Sequence, residues 1–345
     1  MSLTAGELAA LCGVSRGTVD RALHDKPGIN PETKARILKL ATEHGYRPDY
    51  LGSSLVRGRT HTIGVVVFDL KNRYFAQLLQ EIELSTRRLG YAILISLTDK
   101  RVAQEIEALE QMRNRRVDGI ILQPVGFGDA YEHFLASLRT PVVTVGNRLS
   151  RRWDYVSFDN RQAAADAVRF LVGRGYQHLV YLAPPLRYAG RSNISAQEER
   201  LAGAMAAAGE TGLATDVIRD QPYIEQTLAL IRQANGRTAV FCSSDWYALT
   251  LYQASQHAGL RIPDDFGLMG FDRLDIFDLI KPELTSIVHP IEAIGSKSVE
   301  QLVLRIEGQA RVNSAAEIQD AGLPIMAQAG REILLPYRIE PGSST

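Results

Sequence analysis

At 345 residues and 45% hydrophobic content, the chain has length and apolar material for a small module plus one large or two medium domains. No apolar stretch approaches the length of a membrane span, and no apolar run at the N-terminus suggests a secretory signal. Two cysteines, Cys12 and Cys242, lie far apart in apolar contexts, which excludes a disulfide framework and predicts buried free thiols in a reducing, cytoplasmic setting. The formal charge is zero but uneven: residues 1–60 carry nine Lys/Arg against six Asp/Glu, leaving thirty against thirty-three in the rest. A modestly basic end on a slightly acidic body suits contact with phosphates at one end alone.

In chain order, Thr4-Ala5-Gly6-Glu7 matches a capping box and opens a predicted helix with Leu8, Leu11 and Cys12 on one face and Ala9 small enough for close contact. Gly13 supplies a turn, and Ser15 caps a second helix that turns Val19, Ala22 and Leu23 inward. Helix, glycine turn, helix is the helix-turn-helix pattern. Asn30 and Pro31 announce a third helix running to about His44-Gly45. Arg16 and Arg21 point away from the apolar face near the N-terminal half of the second helix, where a recognition helix reads base edges and arginine pairs with guanine. Lone arginines are ordinarily solvated charges, but the ordered set of cap, turn and three helices predicts DNA binding. The segment Asp49–Gly58 is too short to be a stable helix alone, and Gly52 and two serines weaken it further.

From Thr62 onward apolar strands alternate with amphipathic helices. The predicted strands are Ile63–Phe68, Ala92–Leu97, Gly119–Gln123, Val142–Val145, Val156–Phe158, Leu179–Leu182, Ala239–Cys242 and Gly267–Gly270. Predicted helices between them include Phe75–Leu89, Arg101–Met112, Arg161–Leu171, Gln197–Ala208, Ile224–Gln233 and Trp246–His257. Such alternation predicts parallel, doubly wound α/β sheets, with ligands beyond the carboxyl ends of the strands. The residues there include Asp69 to Phe75, Gln123, Gly146-Asn147-Arg148, Ser243 to Trp246 and Phe271-Asp272-Arg273. Rings beside carboxylates and amides suit a small polar-faced ligand such as a sugar. Gly126-Phe127-Gly128 lacks the third small residue of a dinucleotide fingerprint at Tyr131, and the seven histidines are scattered. Neither an enzyme, a metal site nor a cofactor is expected.

Gly13-Val14-Ser15, Thr18-Val19, Arg21, Gly45-Tyr46-Arg47-Pro48, Ser54-Leu55 and Gly58-Arg59-Thr60 together resemble the lactose-repressor (LacI/GalR) family of bacterial regulators, and the similarity continues along the whole chain. The resemblance implies recognition positions at Ser15, Arg16, Gly17, Thr18, Arg21 and His24, with Thr4 and Tyr46 as further DNA contacts. Gly17 departs from the family, where a long polar side chain is common, and leaves more of the readout to Arg16 and Arg21. Asp49–Gly58 becomes a hinge helix that folds on the operator, with Leu55 as its minor-groove wedge. The family's effector pocket falls on Asp69, Tyr74, Phe75, Arg200, Ser244 and Asp272, with Asn147, Asp245 and Trp246 as further candidates. Asp245 serves equally well as a helix cap, and a core anchor at a helix start is the lesser alternative for Phe75.

The implied organisation is a headpiece at 1–48, a hinge at 49–60, and a periplasmic-binding-protein type I-like core at 61–340. The core divides into one lobe at about 61–159 and 290–318 and another at about 160–285 and 319–340. The expected function is that of an effector-controlled repressor binding a palindromic operator as a homodimer, because the end of the chain has two prolines and no leucine heptad. The expected effector is a sugar or sugar derivative. A nucleobase or phosphorylated metabolite is the alternative ligand, and a transport binding protein the rival of another class.

Overall fold

The computed structural model of the chain describes residues 3–46, 59–183, 192–316 and 329–345. They form two compact units, Met1–His61 and Thr62–Thr345. The expected hinge helix, with Leu55, lies outside the described residues.

The first unit holds three helices, α1 (Ala5–Leu11), α2 (Arg16–Leu23) and α3 (Pro31–Glu43). Each begins where its side chains satisfy orphan backbone donors. Thr4 and Glu7 form the reciprocal capping box of α1, Ser15 accepts from Thr18 N, and Asn30 accepts from Glu32 N ahead of Pro31. Gly13 takes φ +61° in the turn, and Arg36 of α3 donates to the Cys12 carbonyl at 3.0 Å, closing the end of α1. Leu8, Ala9, Cys12, Val19, Ala22, Ile37 and Ala41 make the core. Leu11, expected on the buried face, is instead 52% exposed. The spacing of Leu8 and Cys12 centres the buried face on their side of α1, and Ala9 fills the third place because α2 approaches closely.

The second unit contains, in order, β1 (Thr62–Val67), α4 (Arg73–Arg88), β2 (Ala92–Leu97), α5 (Val102–Asn114), β3 (Gly119–Leu122), α6 (Asp129–Ser137), β4 (Val142–Val145) and β5 (Asp154–Ser157). It continues with α7 (Asn160–Gly173), β6 (His178–Leu182), α8 (Ser195–Thr211), β7 (Ala214–Ile218), α9 (Tyr223–Gln233), β8 (Thr238–Cys242), α10 (Asp245–His257) and β9 (Gly267–Asp272). A 3₁₀ turn (Asp275–Leu279), β10 (Thr285–Val288), α11 (Ile291–Ala316), β11 (Glu332–Leu334) and β12 (Arg338–Glu340) complete it. Two sheets result, in the orders β11-β5-β4-β3-β1-β2 and β12-β10-β9-β8-β6-β7. All pairings are parallel except β12 on β10. Near-continuous apolar strands such as Ile63-Gly64-Val65-Val66-Val67 are buried on both faces, as helices on each side require.

Two helix contacts position the later site. Along α4 the residues Phe75, Leu78, Ile82 and Thr86 face inward at helical spacing. Helices α7 and α8 touch along an alanine-rich seam, and a Cβ on Gly203 would lie 1.9 Å from the Arg161 carbonyl oxygen. That contact explains the glycine of Arg200-Leu201-Ala202-Gly203 and brings Arg200 against the end of the second sheet.

One part of the expected lobe division is corrected. Residues 319–340 do not stay in the second lobe, because Glu332–Leu334 pairs with β5 in the first sheet before Arg338–Glu340 joins β10 in the second. The chain therefore crosses between lobes a third time, around Pro336. Strands of three residues are too short to leave a periodic signal.

Candidate functional site

The residues expected to contact DNA lie in the first unit. On α2, Arg16, Gly17 and Arg21 are exposed while Val19 and Ala22 are buried, so the helix presents its arginines outward. Thr18 is half-buried, and its hydroxyl lies 2.9 Å from that of Ser15. Thr4 is exposed but engaged in its cap. His24 Nδ1 lies 2.9 Å from the Asp20 carbonyl and 3.0 Å from its carboxylate, which also holds Lys26 at 2.7 Å. Tyr46 packs half-buried against the headpiece core.

The second constellation lies at the carboxyl ends of the strands. Arg200 is buried and fully engaged. Its Nε donates to Asn160 Oδ1 at 2.8 Å, one terminal nitrogen donates to the Ser243 carbonyl at 2.7 Å, and the other is 3.2 Å from His289 Nε2. The guanidinium carbon stands 3.7 Å from the centre of the Phe271 ring, a cation–π contact, and Asp272 Oδ1 is 3.6 Å from the terminal nitrogen that bonds Ser243. Ser244 Oγ donates to the other Asp272 oxygen at 3.0 Å while capping α10. Asp272 holds φ +125°, a conformation that costs an L-residue and clusters at ligand sites.

Electrostatics follow from burial. Burial raises the Asp272 carboxyl above the ordinary carboxylate range, against the opposing pull of Arg200. Burial first, then the Arg200 charge, keeps the His289 imidazole neutral well below its usual range. A neutral His289 that accepts from Arg200 at Nε2 carries its proton on Nδ1. That Nδ1 is buried without a hydrogen-bond partner among the described residues, as are Tyr74 OH, Ser243 Oγ and Gln123 Oε1. Tyr74, Phe158 and Phe271 surround the imidazole edge-on, at 4.7, 4.3 and 6.1 Å between centroids. Buried polar atoms without partners inside an aromatic box are the chemistry of a site that completes its hydrogen bonds with a ligand.

The structure thus brings together Arg200, Asp272, Ser244 and Tyr74 from the expected set. It adds His289, Phe158, Asn160, Ser243 and Phe271, which are absent from that set. Gln123, Ser243 and Phe271 are visible in the sequence as strand-end residues, and the same rule applied after β5 and β10 reaches Phe158, Asn160 and His289. Asp69 accepts from Lys71 N and Asn72 N, so its carboxylate holds the turn into α4. Phe75 packs edge-on against Phe68 and Tyr74 as a core anchor. Asp245 is neither cap nor cleft residue: it is fully buried and accepts from Leu274 N at 2.7 Å and Ser286 Oγ at 2.9 Å. The cap beside it is Ser244, which leaves Asp245 turned toward the sheet over Gly270. Trp246 is 50% exposed, and among the described residues no ring contact ties it to the cluster.

Asn147 acts as a bracket between lobes, donating to the Pro124 and Asn193 carbonyls and accepting from Ala196 N. Beside it Arg148 N donates to Ser195 Oγ at 2.8 Å, and its guanidinium pairs with Glu332. Across the cleft, Arg73 at the start of α4 pairs with Asp275 of the second lobe. A concavity of about 780 Å³ reaches the cluster at His289 and is bordered by Arg73, Gln77, Arg273 and Asp275.

A helix-turn-helix module joined to a two-lobed core with a polar cleft between the lobes defines a DNA-binding regulator with a small-molecule switch. Residues 4–49 match the bacterial regulatory proteins of the lacI family, and residues 168–323 match a periplasmic binding protein-like domain. Catabolite control protein A of Priestia megaterium is 28% identical over the full length of both chains. The transcriptional repressor CytR of Escherichia coli K12 is 28% identical, covering 93% of this chain and 95% of its own. In structure, the lac repressor dimer bound to operator and an anti-inducer superposes with a TM-score of 0.83 at 21% identity, covering 100% and 99% of the two chains. The chain thus carries a lacI-family helix-turn-helix domain followed by a periplasmic binding protein-like domain, and its relatives in sequence are transcriptional regulators.

Proposed function

We propose that this regulator represses transcription as a cytoplasmic homodimer, and that an uncharged polyhydroxylated molecule, a sugar or sugar derivative, binds at the Arg200–Asp272 cluster to set its operator affinity. The observation that carries the ligand class is the balance of that cluster. One buried guanidinium faces one buried carboxyl, with orphaned hydroxyl and imidazole donors around them. Arg73 and Arg148, the flanking cations, are already paired with acids, Arg73 with Asp275 across the lobes and Arg148 with Glu332 of its own lobe. A phosphorylated ligand asks for more positive charge than this cluster offers among the described residues. Paired hydrogen bonds to hydroxyls, with rings against the apolar face of the sugar, match what is present.

Support for the homodimer comes from exposed apolar side chains. The edge strand β2 leaves Ile95 and Leu97 exposed, and Leu279 is 86% exposed beyond Asp275, on the side where Arg73 joins the lobes. Unprotected edges and exposed leucines of this kind mark association surfaces. Among the described residues no helix is long and apolar enough to cross a membrane.

The test begins with thermal unfolding of the full chain against neutral sugars, sugar phosphates and nucleosides, since a ligand stabilises the state it binds. A neutral sugar is expected to raise the midpoint. Arg200→Ala and Asp272→Ala should then retain operator binding in the absence of sugar and lose its response to it. Stabilisation by sugar phosphates alone, or a normal response in both variants, would overturn the assignment.

A further inference from the structure

Gly6 has no conformational reason to be glycine. It is the second residue of α1, between Ala5 and Glu7, and its φ is not among the positive values found at Gly13, Gly28 or Gly45. Glycine is also among the poorest helix formers, so its presence in the first turn disfavours α1. What glycine supplies there is room. A Cβ at residue 6 would lie 2.5 Å from an Arg16 terminal nitrogen, 3.0 Å from Nε and 3.1 Å from the guanidinium carbon. The Arg16 side chain therefore lies flat across the start of α1, over the place a side chain at residue 6 would fill.

Arg16 is the first residue of α2, the end of a recognition helix that faces base edges. The next residue is Gly17, where an added Cβ would have Ser15 Oγ at 3.7 Å as its sole neighbour within 4 Å. The nearest acid in sequence, Asp20, is one turn further along α2 and pairs with His24 and Lys26 at 3.0 and 2.7 Å. Glu7, beside Gly6, is occupied by Thr4, whose backbone nitrogen and hydroxyl lie 2.7 and 2.8 Å from its Oε2. No acid pairs with Arg16 among the described residues. The guanidinium is thus located by the shape of the backbone at Gly6, with its donors unspent.

We propose that Gly6 is a specificity-determining residue of the DNA interface: by its lack of a side chain it sets the direction from which Arg16 reaches the major groove. Gly6 acts through Arg16 and is a positioning residue, so the proposal rests on Arg16 reading bases. Any side chain at residue 6 displaces the guanidinium without disturbing the headpiece core, because the far end of a flexible arginine is what moves. Base preference should change while folding does not.

The experiment uses the full-length protein and a pool of random duplex DNA. Sequences selected by the unaltered protein are compared with those selected by Gly6→Ala, Arg16→Ala and the double variant, and affinities for the selected operator and for unrelated DNA are measured at fixed salt. Gly6→Ala is expected to lose about tenfold in operator affinity, the scale of one base contact, with unrelated DNA changed less than about twofold. Its preference should relax at the same base positions that Arg16→Ala relaxes, and the double variant should match Arg16→Ala alone. Thermal unfolding of the headpiece should be unchanged or improved, and Gly6→Ser repeats the measurement with a second side chain. A preference altered by Arg16→Ala but untouched by both residue-6 variants overturns the role of Gly6. No change in Arg16→Ala removes the arginine as a base reader, and the proposal with it.

Discussion

Asp245 and Asp272 link the stability of the core to pH. Burial, reinforced by the charge of Asp272, pushes the Asp245 carboxyl from 3.8 up to about 7. A carboxyl raised in the folded state binds its proton more tightly than it does in the unfolded chain. Its stabilisation is therefore complete below about pH 4 and is lost as pH rises toward about 7. The loss is on the order of a few kcal/mol, since each tenfold difference in proton affinity between the two states is worth about 1.4 kcal/mol. Asparagine keeps both contacts, accepting from Leu274 N and donating to the Ser286 hydroxyl. Asp245→Asn should accordingly gain stability relative to the unaltered chain as pH rises from 5 to 7.5, followed by urea unfolding of both at each pH. A constant difference across that range would show that Asp245 does not titrate there. Asp272 shares the sign of this effect, but its pairing with Arg200 also gives it a part in the ligand response.

Among the elements, the α7–α8 pair carries the site. Arg200 leaves α8 one turn before Gly203, so the depth at which it sits depends on how closely the two helices approach. A methyl group on Gly203 would collide with backbone rather than with a movable side chain. Gly203→Ala should force the helices apart at a cost of about 1–3 kcal/mol or more, measured by urea unfolding, and should weaken the effector response by shifting Arg200 from Asn160 and Ser243. Unchanged stability would mean the seam has slack that the close contact hides. The helix starts were legible from sequence because a cap is local: Thr4 with Glu7, Ser15 with Thr18, and Asn30 with Pro31 lie within three residues of each other. The β11 and β12 segments were not legible, because three residues on either side of Pro336 acquire their meaning from partners fifty or more positions away.

For the whole molecule, the lobes meet on both sides of the cleft, through Arg73–Asp275 on one side and through Asn147 and Arg148 on the other. A ligand that prefers one relative arrangement of the lobes shifts the population toward it. In the proposed homodimer such a shift reaches DNA through the pairing of two chains, which places weight on the exposed apolar side chains. Leu279→Asp should convert the dimer to a monomer in sedimentation at micromolar concentration. It should also weaken binding to a two-half-site operator far more than to a single half-site. A dimer that survives this change would locate the association surface elsewhere.

Sequence alone determined the helix-turn-helix headpiece, strands β1 to β6, β8 and β9 with the alternation that winds parallel sheets, and the strand-end location of Ser244 and Asp272. These follow from short-range caps, from apolar periodicity and from the rule that parallel sheets bind at their carboxyl ends. Arg200, on α8, was reached through the family resemblance, and β7 and β10 were missed along with β11 and β12. The tertiary structure decided which of those strand-end residues face the cleft. Asp245 and Asp272 are both acids at strand ends, yet Gly270 and Ser286 draw Asp245 into the fold while a positive φ turns Asp272 toward Arg200. Phe158, Asn160 and His289 joined the site because two separate stretches of chain, at 158–160 and at 289, converge on the Arg200 guanidinium. Burial and mutual satisfaction of polar atoms are properties of that convergence, and no window of sequence contains them.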